Sequence, residues 1–379
     1  MISTFGPKVR GISPYSDSLC SSIDSLNSIH LERIDYIKAF PNFLLPKNTD
    51  YRACNDYAHI NYTKPSTWDI TNGKMYDIAH IQYWSPAFLP IIFAVLQKIK
   101  KRSIKAIITW HNPSPHENFP LLRLAEKKLL SMCDSVICHT EAGAQILNST
   151  APNKSVNVIH HGCEASNVSV PSQKDYEVCN LSDGYNYVLY FGNIRPYKGV
   201  DMLLDAWERL PSLHSKTKLI IAGRLWENKK SILSKLTHRA SGTTSYSDLI
   251  KHKSSKQQDS VITDFQFIPQ DKLLSYIHVS KLAVFPYLSF ESQSGAASLA
   301  AGHGLPIIAT SVGGLKELAI SNEFISQDLS ADSFSKLIHK HLNNSDKNLK
   351  SQQVEIAKQL SWELSAEKHI LDYKDVANN

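Results

Sequence analysis

Hydrophobic positions along the chain follow two alternating patterns. Short runs rich in apolar and β-branched residues predict strands near YDIAHIQ (76–82), KAIITWH (105–111), DSVICHT (134–140) and VNVIHHG (156–162). Between them, apolar residues three and four apart predict helices over 86–101, 120–131 and 141–147. A polar, sparsely apolar stretch at 164–184 (EASNVSVPSQKDYEVCNLSDG) reads as a linker between domains. The alternation then restarts with a strand at YVLYFGN (187–193) and a helix over 200–210. That helix carries Val200, Leu203, Leu204, Trp207 and Leu210 on one face. Next comes a strand at KLIIAG (218–223), then a polar segment, 238–260, expected to be a surface excursion. A strand over 260–268, a helix over 270–279, a strand over 281–287, a helix over 294–303 and a strand at 305–311 close the series.

Such alternation builds parallel sheets from βαβ units. The fold class expected is α/β, with two doubly wound domains and a cleft between them. In such sheets ligands bind where the carboxyl ends of strands meet helix N-termini. The length agrees, since 379 residues exceed one ordinary core.

Composition narrows the class. Apolar residues at 42% and charged residues at 20% fit a soluble globular protein. A net charge of +6 is far from that of a dedicated nucleic-acid binder, yet it permits anionic ligands or anionic lipid. The cysteines at 20, 54, 133, 138, 163 and 179 form no CxxC pair, so neither a zinc ribbon nor a thioredoxin motif is expected. They read as reduced thiols of a cytosolic protein. The N-terminal MISTFGPKVRG has no signal-peptide core. The greasiest run, AFLPIIFAVL (87–96), is broken by Pro90 and is short of a membrane span.

Four stretches carry candidate chemistry. In FGNIRPYKGVDMLLDAWERL (191–210), Gly192 allows a tight turn and Pro196 fixes φ beside a helix start. Arg195 and Lys198 add two cations where helix amides already favour anions. They are either diphosphate ligands or solvated loop cations. In FESQSGAASLAAGHGLP (290–306), the turn from Ser292 to Gly295 opens a small-residue helix, a backbone nest for phosphate. Glu291 there accepts from sugar hydroxyls or is an ordinary exposed carboxylate. In TWHNPSPHEN (109–118), His111 ends a strand and is either a sugar or proton partner or a structural histidine. His111, His116 and Glu117 match no zinc spacing. In FGPKVRGISPYSDSL (5–19), Gly11, Ile12 and Ser13 bring backbone near a ligand at the first helix. No GxxxxGK[ST] occurs, and no GxGxxG follows the first strand, which argues against P-loop and dinucleotide chemistry.

These pieces, in this order, resemble the retaining glycosyltransferases of family 4, with the GT-B fold, over nearly the whole chain. FGNIRPYKGVDMLLDAW is similar to that family's donor-phosphate element, IATSVGGLKEL (308–318) to its Val-Gly-Gly turn, and VIHHGCE to its domain-junction segment. LSWELSAEKHILDYKDV (360–376) resembles its Ser-Trp C-terminal helix, which crosses back onto the N-terminal domain. DIAHIQYWSPAFLP followed by TWHNPSPHE resembles a subgroup that builds bacterial surface polysaccharides. The resemblance implies two Rossmann-like domains: acceptor binding over 1–170 and nucleotide-sugar binding over 171–358, with 359–379 as the returning helix. It departs at Asn193, where an Arg is common, and at Leu299, where a second Glu often holds the ribose.

The activity implied is sugar transfer from a nucleotide diphosphate sugar to an acceptor hydroxyl with retention, without metal or cofactor. Gly192, Asn193, Arg195, Lys198, Gly223, Arg224, Ser294 and Gly295 would bind the donor. His111, Arg195, Lys198 and Glu291 would carry catalysis, and Gly11, Ile12 and Ser13 would line the acceptor side or approach the phosphate. The acceptor expected is a lipid-linked or polysaccharide-precursor glycan. In FLPIIFAVLQKIKKRSIK (88–105), an apolar segment meets Lys98, Lys100, Lys101, Arg102 and Lys105. That is either a patch resting on the inner face of an anionic membrane or a core helix with a solvated basic end. A degenerate sugar-nucleotide-binding protein and an inverting transferase or epimerase are the rival readings.

Overall fold

The computed structural model describes residues 1–6, 12–38, 56–71, 73–113, 120–166, 170–213, 215–226, 245–344 and 348–378. The chain forms two compact units. The first holds Met1–Gly162, Glu291–Gln293 and Leu360–Asn379; the second holds Cys163–Phe290 and Ser294–Gln359.

In the first unit, helix α1 (Ser13–Ser25) precedes β1 (Asp35–Lys38) and β2 (Ala58–Asn61). Then come β3 (Ile78–Tyr83), α2 (Leu89–Lys100), β4 (Lys105–Trp110), α3 (Pro120–Met132), β5 (Ser135–Cys138), α4 (Glu141–Thr150) and β6 (Val156–Val158). Strands β3-β4-β5-β6 form a parallel sheet and β1-β2 a parallel pair. Ile2 bridges Ile34, just before β1, and Ile81 of β3, so the N-terminal segment lies between the two. Alternate residues of β4 serve opposite faces. Ile108 joins a core with Ile92, Leu96 and Ile99 of α2. Ile107 joins a second core with Leu19 and Ile23 of α1 and with Ile370 and Val376. Those last two lie on the C-terminal helix, Trp362–Asn378, which packs on α1. A parallel strand covered on both faces is apolar along most of its length, which is why KAIITW reads as a near-continuous run.

Helix α2 turns its apolar residues, Leu89, Ile91, Ile92, Val95, Leu96 and Ile99, into this core. Its basic end stays outside, where Arg102 pairs with Asp69 at 3.0 Å. The greasy face of residues 88–105 is thus spent on the fold.

In the second unit, α5 (Gln173–Cys179), β7 (Asn186–Phe191), α6 (Val200–Glu208), β8 (Thr217–Ala222), α7 (Tyr246–Ser255), β9 (Val261–Asp264), α8 (Gln270–Val279) and β10 (Ser280–Phe285) follow in order. The rest is α9 (Gly295–Gly302), β11 (Ile307–Thr310), α10 (Leu315–Leu318), β12 (Ile325–Ser326), α11 (Ala331–Leu342) and α12 (Leu349–Gln359). The strands form a parallel sheet ordered β12-β11-β10-β7-β8-β9. Strand order runs outward from β7 to β9, then restarts on the other side at β10. The reversal lies between β7 and β10, so the loops that follow these two strands lie side by side at the sheet's carboxyl edge. Leu288 N–H donates to Tyr197 O at 2.8 Å, joining them.

Two expectations need correction. The segment 164–184 is not all linker: it contains α5, started by a reciprocal capping box between Ser172 and Asp175. The polar segment 238–260 contains α7, capped by Ser245 and anchored by buried Ile250. In both, caps and few apolar anchors replace the broad apolar stripe that periodicity detects.

Candidate active site

In the second unit, the β7 and β8 ends approach closely. Gly192 has φ +117° and Gly223 φ +148°, and a Cβ on Gly223 would lie 2.0 Å from Gly192 O. Only glycine fits there. Beyond them the chain makes a 3₁₀ turn, Pro196–Lys198, entered through Arg195. Gly199, at φ +64°, then starts α6, and a Cβ there would meet Pro286 O at 2.0 Å. These contacts press the Arg195–Lys198 turn against the loop following β10.

Lys198 Nζ donates to Tyr287 Oη at 2.8 Å. Tyr287 Oη lies 2.9 Å from Ser294 Oγ, and Ser294 caps α9 by accepting from Ala297 N–H. Space above Gly192 is bounded by Lys198 Nζ and Ala296 Cβ, each 3.7 Å from where a Cβ would sit, while that of Gly295 would meet nothing within 4 Å. The first turn of α9 therefore presents backbone N–H groups beside an ammonium. Burial pushes the Lys198 pKa down to about 8; Arg195 adds to the shift and Tyr197 opposes it. The Arg195 guanidinium stacks 3.9 Å over the Trp226 ring, and its Nε is buried without a hydrogen-bond partner. Among the described residues no carboxylate pairs with Arg195 or Lys198. Two adjacent cations with no carboxylate partner among the described residues suit an anionic ligand.

Of the other candidates here, Asn193 is exposed and offers its carbonyl to Tyr190 Oη. Arg224 is exposed, and its carbonyl accepts from Ile194 N–H at 2.9 Å. Leu299 lies on α9, partly exposed.

The first unit collects histidines from five places in the sequence. His111, just past β4, lies with Nε2 2.7 Å from Gln82 Oε1 and Nδ1 3.0 Å from His139 Nε2. His139 Nδ1 lies 2.9 Å from Ile159 O. Neutral rings fix the protons. His139 donates from Nδ1 to Ile159 O and accepts at Nε2 from His111. His111 Nε2 then needs a donor, which the Gln82 carboxamide supplies when its NH₂ group faces the ring. Both ring nitrogens of His111 are thus engaged within this unit. Burial, then His139 and His161, holds the His111 pKa well below the usual value. Burial also takes His139 down to about 3, and His161 and His369 to about 4. The Tyr15 ring stands 4.7 Å from that of His111 and 5.2 Å from that of Trp362. His80 joins Tyr373 Oη at 2.6 Å and Thr109 Oγ1 at 2.7 Å.

Glu291 belongs to this unit: its carbonyl accepts from Thr140 Oγ1, the cap of α4. Two residues on, Gln293 Oε1 accepts from His161 N–H at 2.7 Å. Its Nε2 is buried without a partner. Ile12 precedes α1, and the buried Ser13 hydroxyl donates to Thr4 Oγ1 at 3.0 Å. Gly11, His116 and Glu117 lie outside the described residues, as does Cys54. Cys20, Cys133, Cys138, Cys163 and Cys179 are free and buried. Among the described residues, no His, Cys, Asp and Glu group suits a metal ion, and no helix is long and apolar enough to cross a membrane.

Tyr287, Trp226, Gln82, His139 and His161 escaped sequence reasoning. Tyr287 carried one readable signal: it follows β10 at the same sheet edge as the Gly192 loop.

Comparison with known proteins follows the same division. The family model described as "Glycosyl transferases group 1" matches residues 172–360, and that described as "Glycosyltransferase Family 4" matches 48–167. A lipopolysaccharide 1,2-N-acetylglucosaminetransferase of Salmonella typhimurium is 24% identical over 226 residues, 57% of this chain and 56% of that protein. A D-inositol 3-phosphate glycosyltransferase of Mycolicibacterium smegmatis is 25% identical over 256 residues, 63% of this chain and 53% of that one. These matches span little more than half the length of either relative. Among solved structures, sucrose-phosphate synthase from Thermosynechococcus elongatus superposes with a TM-score of 0.70 at 18% identity, over 99% of this chain and 98% of that one. Anabaena HepE, in complex with UDP and glucose, gives 0.61 at 15% identity, over 79% and 78%. At such identities the likeness shows the fold alone, the GT-B fold of two α/β domains.

Proposed function

From its membership of the GT-B glycosyltransferases, we propose that this protein moves a sugar from a nucleotide diphosphate sugar to an acceptor hydroxyl with retention of anomeric configuration. The observation that carries the reading is the paired cations, Lys198 on Tyr287 and Arg195 on Trp226, beside the N-terminus of α9.

The bond from the anomeric carbon to the diphosphate breaks as the acceptor oxygen attaches to that carbon, and the departing phosphate takes the acceptor proton. Negative charge grows on the diphosphate during this step. Arg195, Lys198 and the amides at Ser294 and Gly295 oppose it with fixed positive charge. These cations fill the role of a metal, and no protein nucleophile is assigned. Gly192 and Gly223 keep side chains out of the phosphate's path, and Asn193 and Arg224 flank it. To His111 and Glu291 we assign hydroxyls of the transferred sugar or acceptor. At His111 a hydroxyl takes the place of Gln82 on Nε2. Gly11, Ile12 and Ser13 fall to the acceptor side.

The acceptor proposed is a lipid-linked or polysaccharide-precursor glycan, reached from the cytoplasmic face. One relative's name, a lipopolysaccharide N-acetylglucosaminetransferase, supports that class. The exposed Lys100, Lys101 and Arg102 are the surface proposed to meet anionic headgroups. A second reading, a degenerate sugar-nucleotide-binding protein, draws on Leu299 and Asn193.

The test is transfer and donor hydrolysis with UDP-, GDP- and ADP-sugars chosen by thermal shift, in wild type and Lys198→Ala. Losing one fixed cation costs about 10²–10³ in rate. Unchanged turnover in Lys198→Ala removes the donor site; donor binding with no turnover by wild type establishes the second reading.

A further inference from the structure

We propose that Tyr287 is the positioning residue of the cation site: its hydroxyl holds the Lys198 ammonium over Gly192 and locks it to Ser294, the cap of α9. This rests on the donor-site reading above and names what keeps that site assembled.

Tyr287 stands two residues beyond β10 and is 0% exposed. It cannot touch solvent, yet its hydroxyl oxygen meets two polar groups, Lys198 Nζ at 2.8 Å and Ser294 Oγ at 2.9 Å. An ammonium only donates. The phenol oxygen must therefore accept from Lys198, and its single hydrogen is left to share a hydrogen bond with the Ser294 hydroxyl. Ser294 Oγ in turn accepts from Ala297 N–H at 3.4 Å. The chain runs from cation to phenol, between phenol and serine, and from helix amide to serine. One hydroxyl thus sets the distance between the point charge after β7 and the amides that open α9. Arg195 and Tyr197 face Lys198 from its own loop and Tyr287 from the loop after β10, so the phenol is the neutral acceptor that favours the charged amine.

Two consequences follow. A Lys198 without its phenol acceptor loses the partner that stabilises its ammonium form, so it gives up its proton at lower pH. It also loses its tether to the helix. A ring that merely filled core space would produce neither effect, because phenylalanine fills the same volume.

The experiment is calorimetric titration with UDP, and GDP and ADP in parallel, from pH 7 to 10. The proteins are wild type, Tyr287→Phe, Ser294→Ala and Lys198→Ala, each checked for fold by circular dichroism. Wild-type affinity should fall as pH rises past about 8, where Lys198 loses its proton. In Tyr287→Phe this alkaline fall should begin about one pH unit lower, with about tenfold weaker binding at pH 8. Ser294→Ala should move the fall the same way by less, since the phenol then loses its orienting partner. It carries the test should Tyr287→Phe not fold. Lys198→Ala should bind weakly at every pH. If Lys198→Ala is weak but Tyr287→Phe and Ser294→Ala keep the wild-type pH dependence, the positioning role is overturned and the donor site stands. If Lys198→Ala binds as wild type does, or wild type binds none of the three nucleotides, the donor-site reading fails.

Discussion

Acidification should unfold the first unit well before it denatures an ordinary domain, because that unit holds five histidines, His80, His111, His139, His161 and His369, uncharged. His139, His161 and His369 hold native pKa values near 3, 4 and 4, with burial as the leading cause of each. In an unfolded chain each would titrate near about 6.5. Below that pH the unfolded state takes up protons that the native state refuses, so stability is full above about 6.5 and declines towards the native values. At pH 5.5 each ring costs about 1.4 kcal/mol, and three cost about 4 kcal/mol. His80 and His111, depressed further, add to this. Buried Asp372 and Glu126 pull the other way, since their raised carboxyl pKa values are relieved by acid. Against a domain stability of about 5–15 kcal/mol the net loss is large. Hydrogen exchange by mass spectrometry at pH 7.5 and 5.5, corrected for intrinsic rate, would locate it. Protection should fall in α1, β4 and the C-terminal helix together. His369→Gln should remove one share of the pH dependence. Equal protection at both pH values, or a His369→Gln slope equal to wild type, would refute neutral burial.

Other expectations are narrower. Gly199→Ala forces a side chain into a left-handed backbone and onto Pro286 O, so denaturant unfolding should show a loss above about 2 kcal/mol. Trp226→Ala removes the face that holds Arg195, and calorimetry should show donor nucleotide binding about fivefold weaker, with Trp226→Phe recovering most of it. Thr140→Val deletes the α4 cap and the bond to Glu291 O; urea unfolding should register about 1–2 kcal/mol.

Much of the fold was legible because its sheets are parallel and covered on both faces. Strands such as KAIITW and YVLYFG are then near-continuous apolar runs, and the helices between them carry wide apolar faces. The proposed anion site was legible in part for a similar reason: Gly192, Lys198, Ser294 and Gly295 stand at strand–helix turns, which local pattern marks. Its supports were not. Tyr287 reads as one more core aromatic, and Trp226 as an exposed one, until sheet order brings them beside Lys198 and Arg195. The histidine network was invisible for the same reason. Positions 80, 111, 139, 161 and 369 share no spacing, and only β3, the ends of β4, β5 and β6 and the last helix bring them together. Helices α5 and α7 were missed because caps, rather than amphipathic stripes, define them.

The first unit closes its core with side chains drawn from both extremities of the chain, Leu19 and Ile23 early, Ile370 and Val376 late. During synthesis the second unit has all its parts once residue 359 has emerged, while the first still waits for its last helix. The half of the molecule translated first is therefore the half that matures last. A polypeptide cut short near residue 360 would carry a complete second unit and an open, unfinished first one, a ready substrate for quality-control proteases.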